Sequence, residues 1–263
     1  MIGHLRVAWI ALGLTALTAV LLPLQLLAMP FPGRARSVLP RLWHRGAVAL
    51  VGFRVEIEGA PSEGRPLLLA ANHQSWLDIL VLGSVLEASF VAKSDVRRWP
   101  IFGVLARLHR TIFIDRERRR DVRGQVERIA RRLDGGETLV LFAEGTTSDG
   151  NHVLPFKSAL FAAAEAALKL SGREEIVVQP VSLAYTRHHG LPMGRAGRAK
   201  VTWIGDQAFE PHLLSILRDG AFDARIVFCQ PLRFAAADDR KALALACERA
   251  VADSLRTSLH PRS

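Results

Sequence analysis

Cysteine is scarce in this chain: Cys229 and Cys247 are the only two in 263 residues, and they stand well apart. That excludes a dense disulfide framework and any paired-cysteine metal motif, and it suits a reducing compartment. No Gly-x-Ser-x-Gly segment occurs, so the nucleophile elbow of serine hydrolases is absent as well. There is no internal repeat and no low-complexity tract. Charge is missing from a long N-terminal stretch: Val7 to Met29 carries no ionised side chain. Those 23 residues would form a helix of roughly 34 Å against roughly 30 Å of bilayer hydrocarbon. Pro23 and Gln25 interrupt its second half, so a full span and a kinked or shallow insertion both stay open. A cleaved signal peptide fits poorly, because Leu-Ala-Met-Pro-Phe-Pro lacks the small residues of a peptidase site. Arg34, Arg36, Arg41 and Arg45 follow the apolar run whereas Arg6 alone precedes it, which places the bulk of the chain on the cytoplasmic side of an inner membrane.

What the chain has in excess is positive charge, with a formal net charge of +10. Such a surplus draws polyanions, and the apolar leader makes lipid headgroups the expected ones rather than nucleic acid. Arg118 to Arg132 is dense in arginine, yet Val122, Val126, Ile129 and Leu133 recur at helical spacing. This is an amphipathic helix with a basic outer face. No aromatics that could stack on bases interleave with it.

Residues 1–53 are therefore expected as a membrane-anchoring helical segment, with Arg36 to Phe53 as its second helix, and 54–263 as an α/β domain. Strands are predicted at 54–58, 66–71, 90–92, 111–114, 138–142, 176–183, 200–204 and 225–229. Helices are predicted at 76–86, 117–133, 157–170, 211–218 and 238–259. That alternation implies an α/β fold with a central mixed sheet flanked by helices. Its functional loops should gather at the carboxyl ends of the strands.

Three loops bring charge directly after a buried apolar strand, where a charged group must be paired, exposed or used. In Asn72-His73-Gln74-Ser75-Trp76-Leu77-Asp78 a base and a carboxylate stand five positions apart. Five residues on one helix turn a side chain away by about 140°, so the pair can meet only if His73 sits on a loop and Asp78 in the helix that follows. An imidazole held in one tautomer by an acid is a general base near neutral pH. The second loop is Phe113-Ile114-Asp115-Arg116. The third is Leu141-Phe142-Ala143-Glu144-Gly145-Thr146-Thr147-Ser148. Adjacent His188 and His189 would face opposite ways in a strand and read as loop residues. Trp76 reads as a core or membrane-edge aromatic, and Trp9 and Trp43 as interfacial ones.

In these blocks, together with Lys93, Pro100 and Gly103 and the later Gln179-Pro180-Val181, the chain resembles the glycerolipid acyltransferase family. The resemblance runs from about Asn72 to Val181. It implies that His73 takes the proton of an acceptor hydroxyl while Asp78 orients the ring, with direct attack on an acyl thioester and no acyl-enzyme. It implies acyl-CoA or acyl carrier protein as donor, and no metal or organic cofactor. Arg116 and Glu144, with Gly145, Thr146 and Lys157, become the substrate-binding candidates. The leading acceptor under this resemblance is 1-acyl-glycerol-3-phosphate, giving phosphatidic acid. In the third block Ala143 replaces the family's usual proline and Thr147 its usual arginine, which removes a guanidinium suited to phosphate. The continuation to Asn151, then Leu154-Pro155-Phe156-Lys157, and the later Trp203-Ile204-Gly205-Asp206 with Pro211-His212-Leu213, resemble the lyso-ornithine lipid acyltransferase branch. Acylation of lyso-ornithine lipid is thus the alternative. A non-catalytic lipid-binding protein and a membrane-attached thioester hydrolase are the readings from other classes.

Overall fold

Consecutive residues of the central strands serve opposite faces of one sheet. Leu67, Leu69 and Ala71 join one buried cluster, and Leu68 and Ala70 join a second. Val140 and Phe142 likewise pack with the first, Leu139 and Leu141 with the second. This is the two-residue period of an extended chain buried on both sides, and it produces a three-layer α/β/α arrangement. The computed structural model describes residues 2–31, 35–99, 102–114, 122–205 and 207–260.

The elements in chain order are α1 (Ile2–Ala28), α2 (Ala35–Val51), β1 (Arg54–Glu58), β2 (Leu67–Ala71), α3 (Leu77–Val85), β3 (Ser89–Lys93), α4 (Phe102–Leu108), β4 (Ile112–Ile114), α5 (Val122–Asp134), β5 (Thr138–Phe142), α6 (Ala162–Ser171), β6 (Glu175–His188), β7 (Leu191–Pro192), α7 (Arg195–Arg198), α8 (Phe209–Asp219), β8 (Phe222–Phe228), β9 (Leu232–Ala235) and α9 (Arg240–Leu259). Short 3-10 turns at Ser94–Arg98 and Ser158–Phe161 connect some of them. The sheet runs β1-β8-β6-β2-β5-β3-β4, with β7 and β9 also paired to β6. From β6 through β2, β5 and β3 to β4 each strand is parallel to the next, β8 runs antiparallel to β6, and β1 is parallel to β8. The sheet is mixed, as expected.

Two expectations fail here, the strand at 200–204 and the loop placement of His188, which ends β6 opposite Phe222, and α4, α7, β7 and β9 escape the sequence reading. Residues 200–204 form no strand: they lie in a turn and loop, where the Trp203 amide donates to Gln74 O at 2.9 Å instead of joining a ladder. The strand β9 escapes the sequence reading, because four residues at an edge show little periodicity.

The N-terminal helices share the core. Ile10, Val48, Val51 and Phe53 belong to the same buried cluster as Leu67 and Phe142. Helix α1 runs unbroken through Pro23 and is tied to the domain near both ends. Arg6 donates to Leu217 O at 3.0 Å and to Val51 O at 2.7 Å. Gln25 donates to Leu108 O at 2.8 Å and Arg36 O at 3.2 Å. Gly220 makes the first tie possible, since a Cβ there would lie 1.7 Å from the Arg6 guanidinium. The outer side of α1 carries a stripe of exposed apolar residues at helical spacing, Leu5, Trp9, Leu12, Val20, Leu24 and Leu27. Trp9 faces outward with this stripe, whereas Trp43 turns inward and donates Nε1 to Thr18 Oγ1 at 2.9 Å.

Candidate active site

Strand β2 ends at Ala71 and α3 starts at Leu77, so His73 lies on the loop between them and Asp78 in the first turn of the helix. The chain folds back over this span, and His73 Nδ1 meets Asp78 Oδ2 at 2.8 Å. The same oxygen accepts the backbone N–H of Gln74 at 2.6 Å and of Ser75 at 3.0 Å. The other, Oδ1, accepts the hydroxyl of Tyr185 at 2.7 Å. Asp78 is wholly buried, and a buried carboxylate requires such partners. Because a carboxylate only accepts, Nδ1 carries the proton, leaving Nε2 as the lone-pair nitrogen.

The His73 ring stacks on Phe142, with centroids 3.9 Å apart and planes 16° from parallel. Its side chain keeps 19% of its surface exposed. What it faces is a cavity of about 510 Å³ enclosed by α1, α2, α3, α4 and the ends of β3 and β5. Leu21, Leu39, Ile79, Val96 and Phe102 are typical of its walls, which are mostly apolar. Trp76 belongs to this wall too, and donates Nε1 to His212 Nδ1 at 3.0 Å.

Glu144 follows β5 directly. Expected as a headgroup ligand, it is instead fully buried, with Oε1 accepting His73 N at 2.8 Å and Oε2 accepting Leu154 N at 3.0 Å. Burial pushes its carboxyl up to about 8, and the nearby charge of Asp78 adds to this, while the two amides pull the other way. Its geometry positions the His73 loop, and it is not part of the cavity wall. Ser148 completes the brace, its amide donating to His73 O at 2.8 Å and its hydroxyl at 3.1 Å. Gly145, Thr146 and Thr147, between the two, line the cavity beside His73. Lys157 is exposed, is not part of the cavity wall, and stands at the N-cap position of the 3-10 turn that precedes α6 without a side-chain cap bond. Arg116 lies outside the described residues, as do Pro100, Asp115 and 117–121, and so does the side chain of Lys93.

A loop histidine paired with a helix carboxylate, over an apolar cavity and at the carboxyl ends of parallel strands, is the setting in which the wider comparisons are informative. A family profile described as Acyltransferase matches residues 53–184. The chain belongs to that family. It is 48% identical to a lyso-ornithine lipid O-acyltransferase of Brucella abortus, over 98% of this chain and 97% of the relative. A protein of the same name from Rhizobium meliloti is 45% identical over 100% of this chain and 88% of its own length. A 1-acyl-sn-glycerol-3-phosphate acyltransferase of Neisseria gonorrhoeae is 38% identical, over 46% of this chain and 48% of its own. The fold matches the crystal structure of the 1-acyl-sn-glycerophosphate (LPA) acyltransferase PlsC from Thermotoga maritima, with a TM-score of 0.68 at 21% identity, covering 99% of this chain and 98% of that one.

Within this acyltransferase the sequence reading passed over Tyr185 and gave Asn72 no role of its own. Tyr185 is the sole tyrosine of the chain and sits wholly buried in β6. Burial, reinforced by the charge of Asp78, holds its hydroxyl well above the ordinary phenol range, so it remains a donor. A tyrosine in the buried run of β6, the one phenol in the chain, was the available signal. Asn72 spends its side chain on β6, accepting Leu183 N at 2.8 Å and donating to Leu183 O at 2.9 Å. Gln179, from the fourth block, is bound to Ala60 O and Cys229 O, outside the cavity wall.

Proposed function

We propose that the protein transfers a fatty acyl group from an acyl thioester, acyl-CoA or acyl carrier protein, to the hydroxyl of a lyso-lipid. The observation that carries this reading is the 2.8 Å contact between His73 Nδ1 and Asp78 on the wall of an apolar cavity. In the proposed reaction Nε2 takes the proton of the acceptor hydroxyl as its oxygen attacks the thioester carbonyl. The tetrahedral intermediate then expels the sulfur, which leaves as a thiol with the proton returned by His73. Asp78, fixed by Tyr185 and two amides, stabilises the imidazolium formed in between. The ester bond forms, the thioester bond breaks, and the step draws on no metal or organic cofactor. The cavity would hold the fatty chain, its size lying within the range of pockets that enclose such ligands.

Two acceptors have support. The relatives matching over nearly the whole chain are named for lyso-ornithine lipid, and Thr147 supplies no guanidinium for a phosphate. The four motif blocks and a relative matching about half the chain support 1-acyl-glycerol-3-phosphate. Competition between the two acceptors, followed by mass spectrometry of the products, decides between them. Thr147→Arg should shift that ratio toward the phosphate acceptor, and an unchanged ratio would place residue 147 away from the headgroup.

Thiol release with and without lyso-lipid tests the activity itself. Acceptor-dependent release is expected; release without acceptor would make the protein a hydrolase, and none a binding protein. We place the enzyme at the cytoplasmic face of the inner membrane, attached through α1. The exposed apolar stripe of that helix and its length of 26 apolar-rich residues from Gly3 to Ala28 support this.

A further inference from the structure

The cavity wall is poor in the charge that the rest of the chain has in excess. With 35 lysines and arginines against 25 acids, an indifferent wall would carry more cations than carboxylates. Among the described residues no lysine or arginine lines this space, and one carboxylate does, that of Asp95. Asp95 is an exposed residue of the 3-10 turn Ser94–Arg98. Such a wall suits a positive guest and opposes an anionic one.

Aromatic rings gather on the same wall. Three of the chain's five tryptophans line it: Trp76 just before α3, Trp99 just after the 3-10 turn, and Trp203 in the loop before α8. Phe209, the first residue of α8, stands among them, with centroids 5.4 Å from Trp76, 5.0 Å from Trp99 and 6.1 Å from Trp203. Trp99 and Trp203 are 5.7 Å apart. The planes of these pairs cross at 49° to 86°, so none is stacked face to face, and each tryptophan is only half-buried. A ring face carries the negative lobe of the aromatic quadrupole, and tryptophan attracts a cation best. The cluster also adjoins the base, because the Trp203 amide donates to Gln74 O at 2.9 Å, one residue from His73. Leu21, Leu22 and Leu39, by contrast, come from α1 and α2 and offer the cavity only hydrocarbon. The acyl-transfer step uses none of the rings.

We infer that Trp76, Trp99 and Trp203, held around Phe209 and joined by Asp95, form a subsite for an ammonium group on the acceptor's headgroup, so that the enzyme selects an amine-bearing lyso-lipid over a phosphate-bearing one. The side chain of ornithine ends in such an ammonium. A phosphate monoester would meet the Asp95 carboxylate with no cation on the described wall to offset it. The inference rests on acyl transfer to a lyso-lipid and goes beyond it in assigning the headgroup's charge to named residues.

The test uses the full-length enzyme in mixed micelles, with acyl-CoA and with acyl carrier protein thioester as donors, and acceptors of equal chain length. These are lyso-ornithine lipid, its norleucine counterpart, in which a methyl group stands where the ammonium was, and 1-acyl-glycerol-3-phosphate. The ornithine lipid should exceed the norleucine lipid about tenfold or more in kcat/KM and should outcompete the phosphate. In Asp95→Asn and Trp203→Leu the first ratio should fall toward one. Asp95 is exposed, so its substitution leaves the core untouched. Equal kcat/KM for the ornithine and norleucine lipids, a preference for the phosphate, or a preference for ornithine that survives both substitutions would overturn the subsite and leave acyl transfer standing. No thiol release with any acceptor would instead overturn acyl transfer, and the subsite with it.

Discussion

The two faces of the sheet are built from the same strands and put to different uses. On the side of α5, α6 and α9, Leu133, Phe161, Ala164, Ala167 and Cys247 close over Leu68 and Leu139, all at or near zero exposure. Small alanines along α6 let that helix sit close to the strands. On the other side α1, α2, α3 and α4 stand around a hollow of about 510 Å³, and His73 looks into it. Leu141 and Phe142 are neighbours in sequence, yet one fills the closed layer and the other supports the imidazole. A strand with a two-residue period can thus carry stability on one side and chemistry on the other. The contrast also explains why both buried faces read as unbroken apolar runs.

Substitutions on the two faces should separate the two uses. The largest effect is expected at His73→Ala, with acyl transfer falling by about 10² to 10⁴ while the melting temperature stays near the parent value. Turnover near the parent level would remove the base from the mechanism. On the opposite face, Leu139→Ala should cost about 2–5 kcal/mol of stability with kcat little changed, measured by denaturant unfolding and by initial rates. If kcat collapsed along with stability, the faces would be coupled rather than separate.

Tyr185→Phe leaves Asp78 Oδ1 buried without its donor and should lower kcat about tenfold, in line with one charged hydrogen bond. The effect should fall on kcat more than on KM, because the hydroxyl reaches the aspartate and not the cavity. Glu144→Gln sets an NH2 group against one of the two amides its oxygens accept and should cost about 1–3 kcal/mol of stability, while its smallest readout is the pH dependence. With its folded carboxyl raised to about 8 from an ordinary 4.5, Glu144 holds a proton in the folded state that the unfolded chain has lost. Its contribution to stability is complete below about pH 4.5 and fades as pH rises toward 8. Glutamine should flatten that part of a melting-temperature profile between pH 5 and 8. An unaltered slope would show that another group sets it.

The comparison also marks what a sequence can disclose. The loop position of His73 and the helix position of Asp78 were legible, since a five-residue spacing admits no pairing along one helix. Tyr185 was not, because its bond to Asp78 spans 107 positions and depends on how β6 registers against β2. Glu144 was misread for a related reason. A charge after a strand looks available until the amides of His73 and Leu154 are seen to occupy it. Residues 200–204 look like a strand by composition, but the amide of Trp203 is taken by the His73 loop through Gln74 O. The order of layers was legible from alternation alone. That the leader at 1–53 would also wall the cavity was not, because hydropathy reports length and greasiness but not which side of a helix meets protein.

The double tether of α1 carries a consequence for anyone wishing to trim the enzyme into a water-soluble form. Thr18, Leu21, Leu22 and Gln25 belong to the cavity wall, so cutting away the leader would strip off a roof and not merely an anchor. The remainder would present an open trough of leucine and phenylalanine to water, inviting aggregation and leaving the His73 cavity without a lid.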